Sequence, residues 1–248
     1  MKRFFCVLLF IAAVIGGLLL CDHVTRRDDS ERKFRSFYDE KQDINVFFMG
    51  TSHVLDDITP MELWRDFGVT SYNMGTSSEC LGMTEWILKL TAEVHKPKIA
   101  VIDVYYIDKP LDLEWTYSYR HLFFDSYPLS FRKFEAVRAT LPKEQWMEFM
   151  MPFSLYHSRW EELMTGTSAR MIDCESFMMG SEMRIGRGEP LPYTRTHEMT
   201  EGELPGMQAL RNIAAYCREN GIEPVFMALP APVSEQQQAD MNSVQRLA

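Results

Sequence analysis

Between Ile44 and Val104 the chain alternates strand-type runs with helical ones, and few folds accommodate that rhythm. Ile44 to His53, INVFFMGTSH, begins as a Val- and Phe-rich run without proline, suited to a strand buried on both faces, and stops at Gly50, Thr51 and Ser52. Thr59, Pro60 and Glu62 then read as the N-cap, first and third positions of a helix that Gly68 closes. Val69 to Met74 is a second strand, ended by Gly75, with Thr76, Ser77 and Ser78 supplying cap-type residues ahead of a helical spacing from Leu81 to Val94. Pro97 ends that helix, and Ile99 to Val104, IAVIDV, is the most continuous apolar strand in the chain, with Asp103 near its carboxyl end. Strands and helices in this order predict an α/β fold with a parallel, doubly wound sheet.

In such a sheet ligands bind at the carboxyl ends of the strands, and a sharp strand-to-helix turn is one way to expose a nucleophilic hydroxyl there. Ser52 occupies that position after the first strand. The alternative is a plain turn, because Gly-Thr-Ser is a common turn composition whose hydroxyls bond their own backbone.

From Tyr105 to about Pro192 the alternation lapses into a stretch rich in Trp, Tyr, Phe and Met, with helical patterns near Phe131 to Thr140 and Tyr156 to Met164. It reads as a helical insertion after the third strand, extending to about residue 200, that serves either as a lid or substrate wall or simply as core. Gly186, Arg187 and Gly188 lack the preceding strand of a phosphate-binding loop and read as a turn. Order resumes with a helix from Pro205 to Glu219, closed by Asn220 and Gly221, then a strand from Pro224 to Leu229. Ser234 caps a last polar helix in which the sequence stops at Ala248, so the chain reads as a fragment.

At the other end, Lys2 and Arg3 precede an uninterrupted apolar run from Phe4 to Leu20, roughly 25 Å long as a helix against a hydrocarbon core of about 30 Å. Both a cleaved signal peptide and an uncleaved signal anchor fit; the anchor is favoured because Leu20 is a poor residue ahead of a cleavage at Cys21. The positive start then places the domain on the extracytoplasmic side of the cell membrane, although Arg26 and Arg27 on the far flank run against that rule. Residues 22–43 are dense in charge and read as a juxtamembrane stalk. The globular domain is expected to span residues 44–248.

A formal net charge of -9 and a pI near 5.2 exclude the basic footprint of a nucleic-acid binder. Five cysteines, with Cys6 and Cys21 in or beside the apolar run and Cys80, Cys174 and Cys217 far apart, form no disulfide framework or metal-ligand spacing. Neither a metal nor a cofactor is expected.

Taken together, Gly50-Thr51-Ser52-His53 and Asn73-Met74-Gly75 on a strand-turn-helix repeat resemble the first two blocks of the SGNH/GDSL hydrolase family, in particular its membrane-anchored cell-envelope branch, which includes alginate O-acetylation factors and the D-alanine transfer protein of teichoic acids. The resemblance covers Ile44 to Val104 and Pro205 to Leu229. It implies a flavodoxin-like SGNH sheet with Ser52 as nucleophile, and with the backbone N–H groups of Ser52 and Gly75 as oxyanion donors. The substrate implied is an acylated envelope carbohydrate or a small ester, and the reaction is that of an esterase or O-acyltransferase. Two departures stand against this. Where the family places an Asn after the third strand the chain has Asp103-Val104-Tyr105-Tyr106-Ile107-Asp108, and no histidine has an aspartate three positions before it to supply the family's base. That Asp-x-x-His pair is expected beyond Ala248. His53, Asp103, Tyr105, Tyr106 and His157 remain as residues that could line the site. The alternative is a catalytically silent SGNH-like module that binds or organises envelope polymer.

Overall fold

The computed structural model describes residues 2–25, 28–165, 178–182 and 196–247. Four strands, β1 (Val46–Met49), β2 (Ser71–Asn73), β3 (Ile99–Asp103) and β4 (Glu223–Met227), form one sheet in the order β2-β1-β3-β4, all parallel. Val46 aligns with Ser71 on one side and Ile99 on the other, and Ile99 aligns in turn with Glu223. From β1 the chain thus moves outward to β2, then crosses back to build β3 and β4 on the opposite side. Strand order therefore reverses between β1 and β3, and the carboxyl ends of these two strands flank the crevice such a reversal leaves.

The predicted helices are found close to their expected limits. After β1 come α3 (Ser52–Asp57) and α4 (Pro60–Phe67); α5 (Leu81–Thr91) follows β2, and α11 (Met207–Asn220) precedes β4. Gly68 and Gly221 close α4 and α11 with left-handed backbone. The additional helix α3 occupies a stretch whose sequence pattern predicts only a turn. It forms because Thr51, in extended conformation, ends the strand and caps the next residues, its carbonyl accepting the Val54 and Leu55 N–H groups.

Between β3 and β4 the described chain is helical: a 3-10 segment Glu114–Arg120, then α6 (His121–Phe124), α7 (Phe131–Thr140), α8 (Trp146–Met150), α9 (Phe153–Tyr156) and α10 (Trp160–Thr165). The pattern read as one helix from Tyr156 to Met164 is broken into α9, a 3-10 turn His157–Arg159 and α10. Met178 to Glu182 runs beside the outer edge of β2, where the Met179 carbonyl accepts the Asn73 N–H at 2.9 Å and the Glu182 N–H reaches the Leu55 carbonyl at 3.0 Å. Gly186 to Gly188 and Cys174 lie outside the described residues. α12 (Glu235–Asn242) opens with a capping box of Ser234 and Gln237 and gives way to a 3-10 turn, Ser243–Leu247.

At the N-terminus α1 (Lys2–Thr25) is long and apolar enough to cross a membrane, and its apolar stretch is not buried against the rest of the chain. The segment that follows is not the stalk its charge suggested. α2 (Asp28–Asp39) lies against the domain: Phe34 and Phe37 are fully buried, and the Phe37 ring meets Phe47 of β1 and Tyr72 of β2 edge-on at 5.7 and 5.1 Å. Two aromatics three residues apart form one apolar stripe that the surrounding charge hides from a composition-based reading. Tyr72 donates its hydroxyl to the Lys33 carbonyl at 2.5 Å, tying the helix to the sheet. Phe37→Ala is therefore expected to lower stability by about 3–5 kcal/mol, as for other buried phenylalanines. Urea unfolding of the detergent-solubilised chain checks this, since a solvated stalk would show almost no change.

Candidate active site

Gly50 ends β1 with φ +147°, and a Cβ there would stand 2.8 Å from the Asp103 Cβ and 2.9 Å from Val54. Glycine alone fits both the conformation and the space. Its smallness lets the ends of β1 and β3 approach, and it turns the chain so that Ser52 becomes the first residue of α3. Ser52 is half-buried, at the crevice between these strand ends. Among the described residues its N–H has no partner, as expected in the first turn of a helix, so it is available to a ligand oxygen.

Four of the residues singled out from the sequence gather with it. Asp103, 1% exposed, ends β3. One carboxyl oxygen accepts the Tyr105 N–H at 3.3 Å and the Leu229 N–H at 3.5 Å, while the other is buried with no partner among the described residues. Burial raises its pKa above the usual carboxylate value; the Leu229 N–H, nearby His53 and the Tyr105 N–H pull the other way. The His53 ring lies edge-on to Tyr105 with centroids 4.1 Å apart, its Nδ1 also buried and unpartnered among the described residues. Tyr106 extends the aromatic wall, 5.0 Å from Tyr105. Two polar atoms left without partners at a strand-end crevice are groups a polar ligand or a moving proton can satisfy.

His157 is elsewhere. It is exposed on the 3-10 turn that packs against the end of α1, so the structure does not bring it to the sheet edge. Its helical context gave no information on which way the insertion would carry it.

Gly75 is placed differently from the expectation. Its N–H is already donated to the Asn73 side-chain oxygen at 2.9 Å, and its carbonyl accepts the Lys33 ammonium at 2.6 Å. The Gly75 N–H is thus engaged within the protein rather than aimed at an oxyanion. The residue is needed for space: a Cβ would lie 2.7 Å from the Leu55 N and 3.0 Å from the Val54 Cβ. Asn73, named from the sequence only as part of the Asn73-Met74-Gly75 block and given no role there, is the organiser, since its amide also donates to the carbonyls of Val54 at 2.6 Å and Ile58 at 2.9 Å.

Behind this turn sits a buried polar cluster with no sequence signal. Glu79 accepts the Thr76 and Thr84 hydroxyls at 2.8 and 2.6 Å, and burial pushes its pKa up to about 8 against the pull of these donors and of Lys33. On the other flank, a cavity of about 600 Å³ opens at the carboxyl ends of β3 and β4. Val104, Phe226, Leu229, Pro230 and Met241 form its apolar wall and Gln238 its polar side. Val104 and Leu229 place it next to Asp103 rather than over Ser52. Among the described residues no group of three or more His, Cys, Asp and Glu could hold a metal ion.

No protein-family model, curated protein or solved structure matches the chain.

Gly75→Ala should destabilise the fold by about 1–3 kcal/mol, the usual range for overpacking, because the obstructing atom is backbone. The shift of its urea midpoint measures this. A pH test follows from Glu79, which keeps its proton in the folded chain from the ordinary 4.5 up to about 8, where an unfolded glutamate has lost it. Folding takes up a proton in that window, so the Glu79 contribution is fully present below 4.5 and is lost as pH rises through 8. Glu79→Gln should flatten that decline in a melting-temperature profile across the same pH range.

Proposed function

We propose that this chain carries the nucleophile of an SGNH-type serine esterase or O-acyltransferase. The observation that carries the reading is the placement of Ser52: first residue of a helix, directly after the carboxyl end of β1, at the reversal of strand order, with an N–H that has no partner among the described residues. The strand order β2-β1-β3-β4 matches the first four strands of a flavodoxin-like sheet, which supports the same class. In this reading the Ser52 hydroxyl attacks an ester carbonyl and gives its proton to a base. The Ser52 N–H steadies the oxyanion, and collapse of the tetrahedral adduct expels the alcohol and leaves an acyl-enzyme. Water or a sugar hydroxyl then takes the acyl group. His53 and Asp103, at the same strand ends, would serve as substrate contacts, and Tyr105 and Tyr106 as the aromatic surface on which a sugar ring packs. The substrate is an acylated carbohydrate of the cell envelope or a small ester. With α1 as anchor and Lys2 and Arg3 inside, the domain works on the extracytoplasmic side of the cell membrane.

Two observations favour the second reading, a silent polymer-binding module. The Gly75 N–H is committed to Asn73, and among the described residues no histidine hydrogen-bonds to the Ser52 hydroxyl. A fluorophosphonate probe separates the two. For the enzyme, the probe should label the wild-type chain on the peptide containing Ser52 and leave Ser52→Ala unlabelled. Absence of label in both, together with equal co-sedimentation of both with envelope glycan, would select the binding module.

A further inference from the structure

The end of α1 is fastened to the domain at two points. The Asp22 carboxylate accepts the Phe153 N–H at 2.7 Å, and the Arg159 guanidinium donates to the Thr25 carbonyl at 3.0 Å. Asp22 and Thr25 are buried by this contact, whereas the apolar side chains from Phe4 to Leu20 stay exposed. At about 1.5 Å per residue, Asp22 and Thr25 stand roughly 3 and 7.5 Å past the last leucine of the apolar run. A bilayer with a hydrocarbon core of about 30 Å has interfacial layers of roughly 5–8 Å on each side. If α1 spans, whatever is bonded to Asp22 and Thr25 is held in that layer.

The elements held there present apolar side chains to the outside. Leu155 is 44% exposed, Trp160 58% and Met164 81%, on α9 and α10, on either side of the Arg159 tether. Trp160 and Met164 are four residues apart and share a helix face. Tryptophan is the side chain favoured at membrane interfaces, and Met164 adds a largely exposed apolar side chain to the same face. The exposed Glu161 follows on the adjoining position of α10, within reach of the headgroup zone.

We propose that α9, the turn His157–Arg159 and α10 form a second membrane contact, lying in the lipid interface beside the end of α1. The partner is the bilayer surface itself. This rests on α1 spanning the membrane and is independent of the chemistry at Ser52. With two attachments the domain cannot swing freely about the anchor, so the sheet takes a set orientation over the lipid.

The test uses the full chain reconstituted into phosphatidylcholine vesicles containing lipid brominated near the headgroup. Trp160 emission should be quenched by the bromines and shielded from aqueous iodide. Trp160→Phe should then remove most of the bromine quenching seen in wild type, and Met164→Trp should add a quenched component. Flotation with the vesicles combined with equal quenching of wild type and Trp160→Phe would overturn the second contact while leaving the anchor intact. Failure of the chain to float would overturn the span of α1 and this contact with it.

Discussion

The close approach of β1 and β3 at Gly50 is the constraint from which the candidate site follows. No side chain at position 50 could coexist with Asp103 and Val54, so the strand ends converge only because the residue is glycine. Convergence buries the Asp103 carboxyl and sends the chain straight into α3 with Ser52 at its first position. It also leaves polar atoms on His53 and Asp103 that have no partner among the described residues, beside a reversal in strand order. The chemistry proposed for Ser52 depends on this one turn. Its neighbours serve mainly to keep the turn in place.

Asn73 and Lys33 do most of that keeping. Asn73 joins the end of β2 to the exit of α3 and occupies the Gly75 N–H, and Lys33 reaches in from α2 to the Gly75 carbonyl. The buried Lys33 ammonium donates to the Gly75 carbonyl, and its charge pulls down the pKa that burial raises on nearby Glu79. Helix α2 follows the apolar helix α1 in the chain, and its Lys33 reaches the Gly75 turn.

The alternation of strands and helices was legible in the sequence because it rests on local signals: Val- and Phe-rich runs, Thr59-Pro60 at a helix start, Gly68 and Gly221 at helix ends. That Ser52, His53, Asp103, Tyr105 and Tyr106 lie at one edge of the sheet was legible for the same reason, since a parallel sheet brings the carboxyl ends of its strands together. His157 was not, because the path of a helical insertion is set by packing among many similar aromatic residues, and sequence spacing carries no direction. The role of α2 was hidden because two buried phenylalanines among charges look like a stalk until their partners, Phe47 and Tyr72, are in place.

By itself the sequence determined the parallel α/β class, an apolar helix able to cross a membrane, and a serine at the carboxyl edge of the first strand. These depend on hydrophobic period, turn chemistry and length, which a single chain displays locally. Only the tertiary structure decided that the Gly75 N–H belongs to Asn73, that Glu79 is buried with Lys33, and that the insertion closes on the end of α1. Each of these is a pairing between residues distant in the chain, and a polar group's partner is settled by which other groups burial leaves within hydrogen-bond reach.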